Sequence, residues 1–264
     1  MEHVRRGGRR PRSEGGRRGL TPNAAMPRAE WERQAENWVR WAREPGHDAY
    51  WYFAPAFFDQ LVPEPGRRTL EVGCGEGRVA RDLRGRGHRV TAIDASPTLI
   101  GQARRADPEG GYVLADAAAI PFADGCFDVV VAYNSLMNVE HMPAAVAEGA
   151  RVLQQGGRFC ISVTHPVGDA GSFQGEDVDA PFVIEGSYLG KRRFEGTFER
   201  DGLSMTFRGW RYSLEDYSGA LESAGLLIER IGEPGATDEA VASRASYLRW
   251  RRVPMFLHIR AVKR

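Results

Sequence analysis

Between residues 66 and 165 the chain alternates short apolar, β-branched runs with amphipathic stretches, and no other feature restricts its fold as much. The runs RRTLEVG, HRVTAID, GYVLAD, CFDVVVAYN and RFCISVTH read as strands. The segments EGRVARDLRGRG, SPTLIGQARRA and MPAAVAEGARVLQQGG between them read as helices. Ser96 and Pro97 supply an N-cap and a first helical residue, and Gly87 and Gly156-Gly157 supply stops. Strands joined by helices of about ten residues form βαβ units, so an α/β, doubly wound and mostly parallel sheet is expected. CFDVVVAYN, apolar at almost every position, belongs where both faces are covered.

The flanks behave differently. WERQAENWVRWARE and HDAYWYFAPAFFDQLV form a helical segment over 29–63, broken at Pro45-Gly46 and with a break or kink expected at Pro55. They are too aromatic to stand in water, and read equally as core packed on the sheet or as a helical lid over a site. Residues 166–212 interrupt the α/β rhythm with a polar, glycine-rich stretch and alternating runs, an expected β-ribbon insert. The α/β pattern resumes with a helix capped by Ser213 and stopped by Gly225, a strand at LLIERIGEP, an irregular stretch at 236–252 and a last strand at VPMFLHIRAVK.

Charge divides the chain. The formal net charge is only +1, from 36 basic and 35 acidic residues, but residues 1–28 hold eight arginines and two glutamates. The remaining 28 basic and 33 acidic residues make the rest mildly acidic. The Arg/Gly-rich 1–28 segment lacks apolar periodicity and a signal-peptide core and is expected to be a disordered tail. It reads as a solvated tail, as sequence upstream of a second start at Met26, or as an arm touching RNA or an acidic partner. Residues 29–264 are expected to form one domain. No apolar run reaches the length needed to span a membrane. Three scattered cysteines without zinc spacing fit a reducing cytoplasm and suggest no metal site.

The chemistry sits in the first strand-to-helix turn, Glu71-Val72-Gly73-Cys74-Gly75-Glu76-Gly77. Alternate glycines let the backbone turn tightly and approach a ligand. A dinucleotide fingerprint would place a third glycine at position 78, which is Arg78. The acid two residues before Gly73 suits an ammonium group rather than a pyrophosphate.

LEVGCGEGR resembles the first motif of class I S-adenosylmethionine-dependent methyltransferases. Asp94 in AIDASPTLI, Asp116 in LADAAAIPF, the FDVVVAYN strand and the ARVLQQGGRF step follow in the family's order. The flanks are similar to bacterial small-molecule methyltransferases. The resemblance implies a Rossmann-like, seven-stranded sheet whose last strand is antiparallel, with S-adenosylmethionine as cofactor and S-adenosylhomocysteine as product. It also implies site roles. The Gly73, Cys74 and Gly75 backbone would line the methionine moiety and Glu71 would hold its ammonium group. Asp94, beside Ala95 and Ser96, would bind the ribose diol. Asp116 and Ala117 would read the adenine, and Asn134 and Ser135 would border the sulfonium. Gly77 can serve helix packing alone, and Cys74 reads as a small turn residue rather than a nucleophile.

The expected reaction is in-line methyl transfer to a small organic acceptor at oxygen or nitrogen, with proximity as the main contribution of the protein. His165, at the end of the fifth strand, is the candidate general base. Tyr133, at the end of the fourth, is the candidate positioning group. The turn Ala132-Tyr133-Asn134-Ser135 lacks the Asn/Asp-Pro-Pro-aromatic pattern of amino-methylating nucleic-acid enzymes, and the acidic body suits no nucleic-acid track. Two alternatives remain: an RNA-modifying methyltransferase anchored by the basic tail, and a non-catalytic cofactor-binding sensor. The oligomeric state stays open.

Overall fold

A computed structural model describes residues 28–65, 67–175 and 177–264. The tail expected to be disordered lies, up to residue 27, outside the described residues. In chain order the elements begin with helices α1 (Arg28–Arg43) and α2 (Tyr50–Gln60), β1 (Arg68–Val72), α3 (Arg78–Gly85) and β2 (Arg89–Asp94). They continue with α4 (Pro97–Ala106), β3 (Gly111–Leu114), β4 (Phe127–Tyr133), α5 (Met142–Val152) and β5 (Leu153–Thr164). The insert holds α6 (Pro166–Ala170), β6 (Gly171–Phe173), β7 (Phe182–Ile184), β8 (Arg192–Arg200) and β9 (Leu203–Arg211). The chain closes with α7 (Leu214–Ser223), β10 (Leu226–Gly232), α8 (Asp238–Ser243) and β11 (Phe256–Lys263).

Seven strands form one sheet in the order β10-β11-β5-β4-β1-β2-β3, and β11 runs antiparallel to both its neighbours. The period of two in β4 explains how the sheet is covered. Val130 and Ala132 pack with α5 and α7 residues such as Val146 and Leu221. Val129, Val131 and Tyr133 face the opposite layer, Phe57 of α2, Leu61 just after it, and Val79 and Leu83 of α3. Strand order reverses between β1 and β4, paired at Leu70 and Val130, and a crevice opens beyond the carboxyl ends of these two strands.

Four local readings change. The α5 helix ends at Val152 rather than running to the glycine pair. Leu153 is already extended and pairs with Phe127, and a register shift follows before Val129 meets Arg158. The Lys263 ammonium caps this end, donating to the Ala150 and Leu153 carbonyls at 2.7 Å each. Pro55 lies inside α2 without ending it. The insert is two separate hairpins, β6–β7 and β8–β9, outside the main sheet. The stretch expected to be irregular contains α8, whose first turn is capped by Thr237 Oγ1 accepting from the Ala240 amide at 3.2 Å, and a 3-10 segment at Ala245–Arg251. Ala240 and Tyr247 pack there against Phe53 and Phe256, so burial by α2 and β11 orders a segment with little periodicity of its own.

Candidate functional site

The turn after β1 is tied to its neighbour: the Gly73 and Cys74 amides both donate to the Ile93 carbonyl, at 2.8 and 2.9 Å. Gly73 has φ +75°, and a Cβ there would lie 2.5 Å from Ser135 Cβ. Gly75 has φ +57°, and its Cβ would lie 2.9 Å from Trp38 Nε1. Both positions therefore require glycine for conformation and for clearance. Gly77 faces the Tyr112 hydroxyl and Ala103, a helix-packing contact. Ser135 comes close because its hydroxyl donates to the Val72 carbonyl at 2.6 Å, joining the ends of β4 and β1.

Asp94, at the carboxyl end of β2, organises the next layer. Its Oδ2 accepts from the Gly75 amide at 2.8 Å and its Oδ1 from the Ser96 amide at 2.9 Å. Burial pushes its carboxyl up against the downward pull of these amides. Ser96 Oγ caps α4 by accepting from the Leu99 amide at 3.1 Å. Asp116 is exposed, and its Oδ1 accepts from the Ala118 amide at 2.9 Å. Glu71 is 1% exposed and its carboxyl is pushed up to about 8 by burial, then by the nearby charges of Asp94 and Glu76. Glu71 Oε2 is buried without a hydrogen-bond partner. A buried carboxylate oxygen left unpaired is costly, and an ammonium group is its natural complement.

These groups share a cavity of about 840 Å³. Glu71, Gly73, Cys74, Gly75, Asp94, Ala95, Ser96, Asp116, Ala117, Asn134 and Ser135 all line it, as does Tyr133. Asn134 adopts φ +50°, and its side-chain oxygen accepts from Ser162 Oγ at 3.1 Å. The Cys74 thiol is buried and raised well above its usual value by burial, as befits a small turn residue. The Tyr133 hydroxyl is buried without a hydrogen-bond partner, its pKa raised by burial, and its ring packs edge-on against Tyr50 and Phe57.

His165 is placed otherwise than expected for a base. Its Nδ1 accepts from the Val167 amide at 3.1 Å, capping α6, and its Nε2 lies 2.8 Å from Glu233 Oε1. With both ring nitrogens engaged, it is absent from the cavity wall. Thr164 and Asp169, on either side of it, line the cavity instead. Thr164 carries no titratable group, and Asp169 reaches the wall only through the short turn of α6 that His165 and Pro166 begin.

The roof is aromatic. Helix α1 packs on β9 and α4. Trp38 and Trp41 meet Phe207 edge-on at 6.1 and 5.7 Å. Phe194, Phe198 and Trp210 of the β8–β9 hairpin also face the cavity. Gly209 lets β9 approach the turn after β4, since a Cβ there would lie 2.7 Å from the Met137 carbonyl oxygen. Polar anchors hold α1, among them Arg43, whose Nε lies 2.8 Å from Glu76 Oε2 at its C-terminal end. Arg208 bridges Glu30 at 2.7 Å, and also Glu195 at 2.9 Å. Glu32 accepts from Ser96 Oγ and Thr98 Oγ1, and burial would raise its carboxyl but these bonds hold it below the usual range. Of the aromatic segments read equally as core or lid, α1 covers the cavity together with the β8–β9 hairpin, while α2 packs in the core and brings only Tyr50 to the cavity wall.

Glu71 Oε2 without a partner, two glycine positions closed to any Cβ and the Asp94 carboxylate at the cavity wall fit S-adenosylmethionine. Comparison with known proteins agrees. Residues 70–161 match the family described as "Methyltransferase domain". The chain is 35% identical over 117 residues to a demethylmenaquinone methyltransferase of Beutenbergia cavernae, covering 44% of this chain and 48% of that protein. It is 36% identical over 98 residues to a malonyl-[acyl-carrier protein] O-methyltransferase of Serratia marcescens, covering 37% and 38%. The chain therefore spans about half the length, or less, of these two relatives. Among solved structures, an S-adenosylmethionine-dependent methyltransferase from Mesorhizobium loti superposes with a TM-score of 0.65 at 26% identity, covering 82% of this chain and 98% of that one. Residues 70–161 thus carry a methyltransferase domain, and motif series, sheet order and these likenesses support a class I S-adenosylmethionine-dependent methyltransferase.

Proposed function

We propose that the protein transfers a methyl group from S-adenosylmethionine to an oxygen or nitrogen of a small organic acceptor held under the aromatic roof. One observation carries this reading: a single cavity joins the glycine turn and its acids to the rings of α1 and the β8–β9 hairpin. At about 840 Å³ it lies high in the about 300–1,000 Å³ range of small-molecule sites, which leaves room for a second molecule beside a cofactor. The acceptors in the names of the two relatives differ from each other, so the acceptor class is read from the roof.

The bound cofactor would supply an activated methyl group on a good leaving group. Glu71 would hold the ammonium group, and Asp94 would offer its remaining lone pairs to the ribose hydroxyls. Asp116 Oδ2 and the Ala117 backbone would face the adenine. Asn134 and Ser135, fixed by Ser162 and Val72, would border the reacting end. The roof would exclude water and hold the acceptor against the methyl group, the kind of alignment worth about 7–11 kcal/mol of a barrier.

Calorimetry tests the cofactor half: S-adenosylhomocysteine is expected to bind and NAD not. Tight NAD binding without S-adenosylhomocysteine binding would overturn the reading. Release of S-adenosylhomocysteine with hydroxylated and amine acceptors, unchanged on deleting residues 1–25, is the outcome expected for a small acceptor. Loss of activity on RNA with that deletion would favour an RNA substrate instead.

A further inference from the structure

The far end of the cavity holds one carboxylate that the cofactor reading does not use. Asp169 lies in the first turn of α6, and its Oδ2 accepts from Thr164 Oγ1, at the end of β5, at 2.6 Å. Its Oδ1 makes no hydrogen bond among the described residues, and no cation forms an ion pair with it there. Most of the other acids on the wall are committed. Glu76 is bound by Arg43 and Arg81, and Asp48 by Arg78 at 2.8 Å. Glu71, Asp94 and Asp116 belong to the cofactor end, while Glu140 stands on the loop before α5, with no element fixing its carboxylate.

The surroundings of Asp169 select a partner. Met255 and Phe256 line the wall beside the β5 end, and Phe194 and Trp210 line it from the hairpin. Trp210 Nε1 is buried without a partner. Burial pushes the Asp169 carboxyl up, against the Thr164 hydrogen bond and the more distant Arg211. Its charge is therefore short of solvation, and a ligand donor can supply what water does not.

We propose that Asp169 is the acceptor-binding carboxylate and that it takes a hydrogen bond from an O–H or N–H on a ring-bearing acceptor. This rests on the methyl-transfer reading above and adds to it the group that orients the acceptor. The aromatic walls hold the ring, Asp169 fixes the donor atom, and Thr164 holds the carboxylate in place. Phenolic and amine acceptors share this donor chemistry and differ in charge, so a neutral and a cationic probe separate them.

The test titrates the full chain, saturated with S-adenosylhomocysteine, with p-cresol and with benzylamine, following tryptophan fluorescence and heat. Saturable binding of at least one probe is expected. Asp169→Ala should weaken that probe about tenfold or more while S-adenosylhomocysteine affinity stays within about twofold. The near-isosteric Asp169→Asn guards against misfolding: it should weaken benzylamine as strongly as Asp169→Ala does, and p-cresol less, because the amide oxygen still accepts. The proposal is overturned if neither probe binds the parent protein saturably, or if both variants bind them as the parent does. Failure of the parent to bind S-adenosylhomocysteine would instead sink the methyl-transfer reading itself.

Discussion

At the floor of the cavity Gly73, Gly75, Asp94 and Ser135 meet through backbone hydrogen bonds at converging strand ends. At the roof Trp38, Trp41 and Phe207 meet through ring edges contributed by a helix near the start of the described chain and a hairpin inserted after β5. The floor depends on where the main chain turns, so it tolerates few residue types. The roof depends on filled volume, so rings of similar size can replace one another. A fixed floor suits a ligand that does not vary, and a replaceable roof suits one that does.

Gly73→Val attacks the floor most directly. A branched side chain would have to occupy the space of Ser135 Cβ at a left-handed φ, and S-adenosylhomocysteine binding should fall by more than about 1,000-fold in calorimetry. Asp94→Ala removes the acceptor for two amides as well as the proposed ribose contact, for an expected loss of about 100-fold. Unchanged affinity in that variant would refute the site assignment.

Glu71→Gln should weaken S-adenosylhomocysteine about tenfold, and it also carries a pH signature. The Glu71 carboxyl titrates near 8 in the fold against an ordinary 4.5. Its neutral form therefore contributes stability that is complete below about pH 4.5 and is lost as pH rises towards 8, by about 1.4 kcal/mol per unit for a fully buried group. The cofactor-free protein should melt at falling temperature over that window, and Glu71→Gln should flatten the fall.

Phe207→Ala tests the roof. Loss of its edge contacts should cost about 2 kcal/mol in denaturant unfolding and weaken p-cresol, yet leave S-adenosylhomocysteine within about threefold. A large loss of cofactor affinity would dissolve the distinction between the two regions. His165→Ala gives the smallest effect, about 1 kcal/mol of stability through the lost cap of α6, with cofactor and probe affinities unchanged.

The same contrast explains what could be read in advance. The α/β alternation, the Ser96 and Ser213 caps and the glycine turn are local signals, with partners within one strand–turn–helix unit. The acids Glu71, Asp94 and Asp116 were legible because each lies at or just past the carboxyl end of one of the parallel strands β1, β2 and β3. The roof was legible only as a composition, since nothing local says that Trp38 faces Phe207. His165 drew attention as the titratable residue at the end of β5, but Glu233, from the segment after β10, and the Val167 amide occupy it. Asp169 reaches the cavity through a short helix whose direction follows from packing against β9. The early end of α5 is likewise a tertiary effect, set by the Lys263 ammonium and the pairing of Leu153 with Phe127.

Glu32 joins the two regions. It grips Ser96 Oγ and Thr98 Oγ1, and the Ser96 amide in turn donates to Asp94. The roof helix is thus linked to Asp94 through two consecutive hydrogen bonds, a path by which the proposed cofactor and acceptor sites would be coupled. By reciprocity, whatever factor the cofactor adds to acceptor affinity through this link, the acceptor returns to the cofactor. Substituting Glu32 would uncouple the sites without touching either ligand.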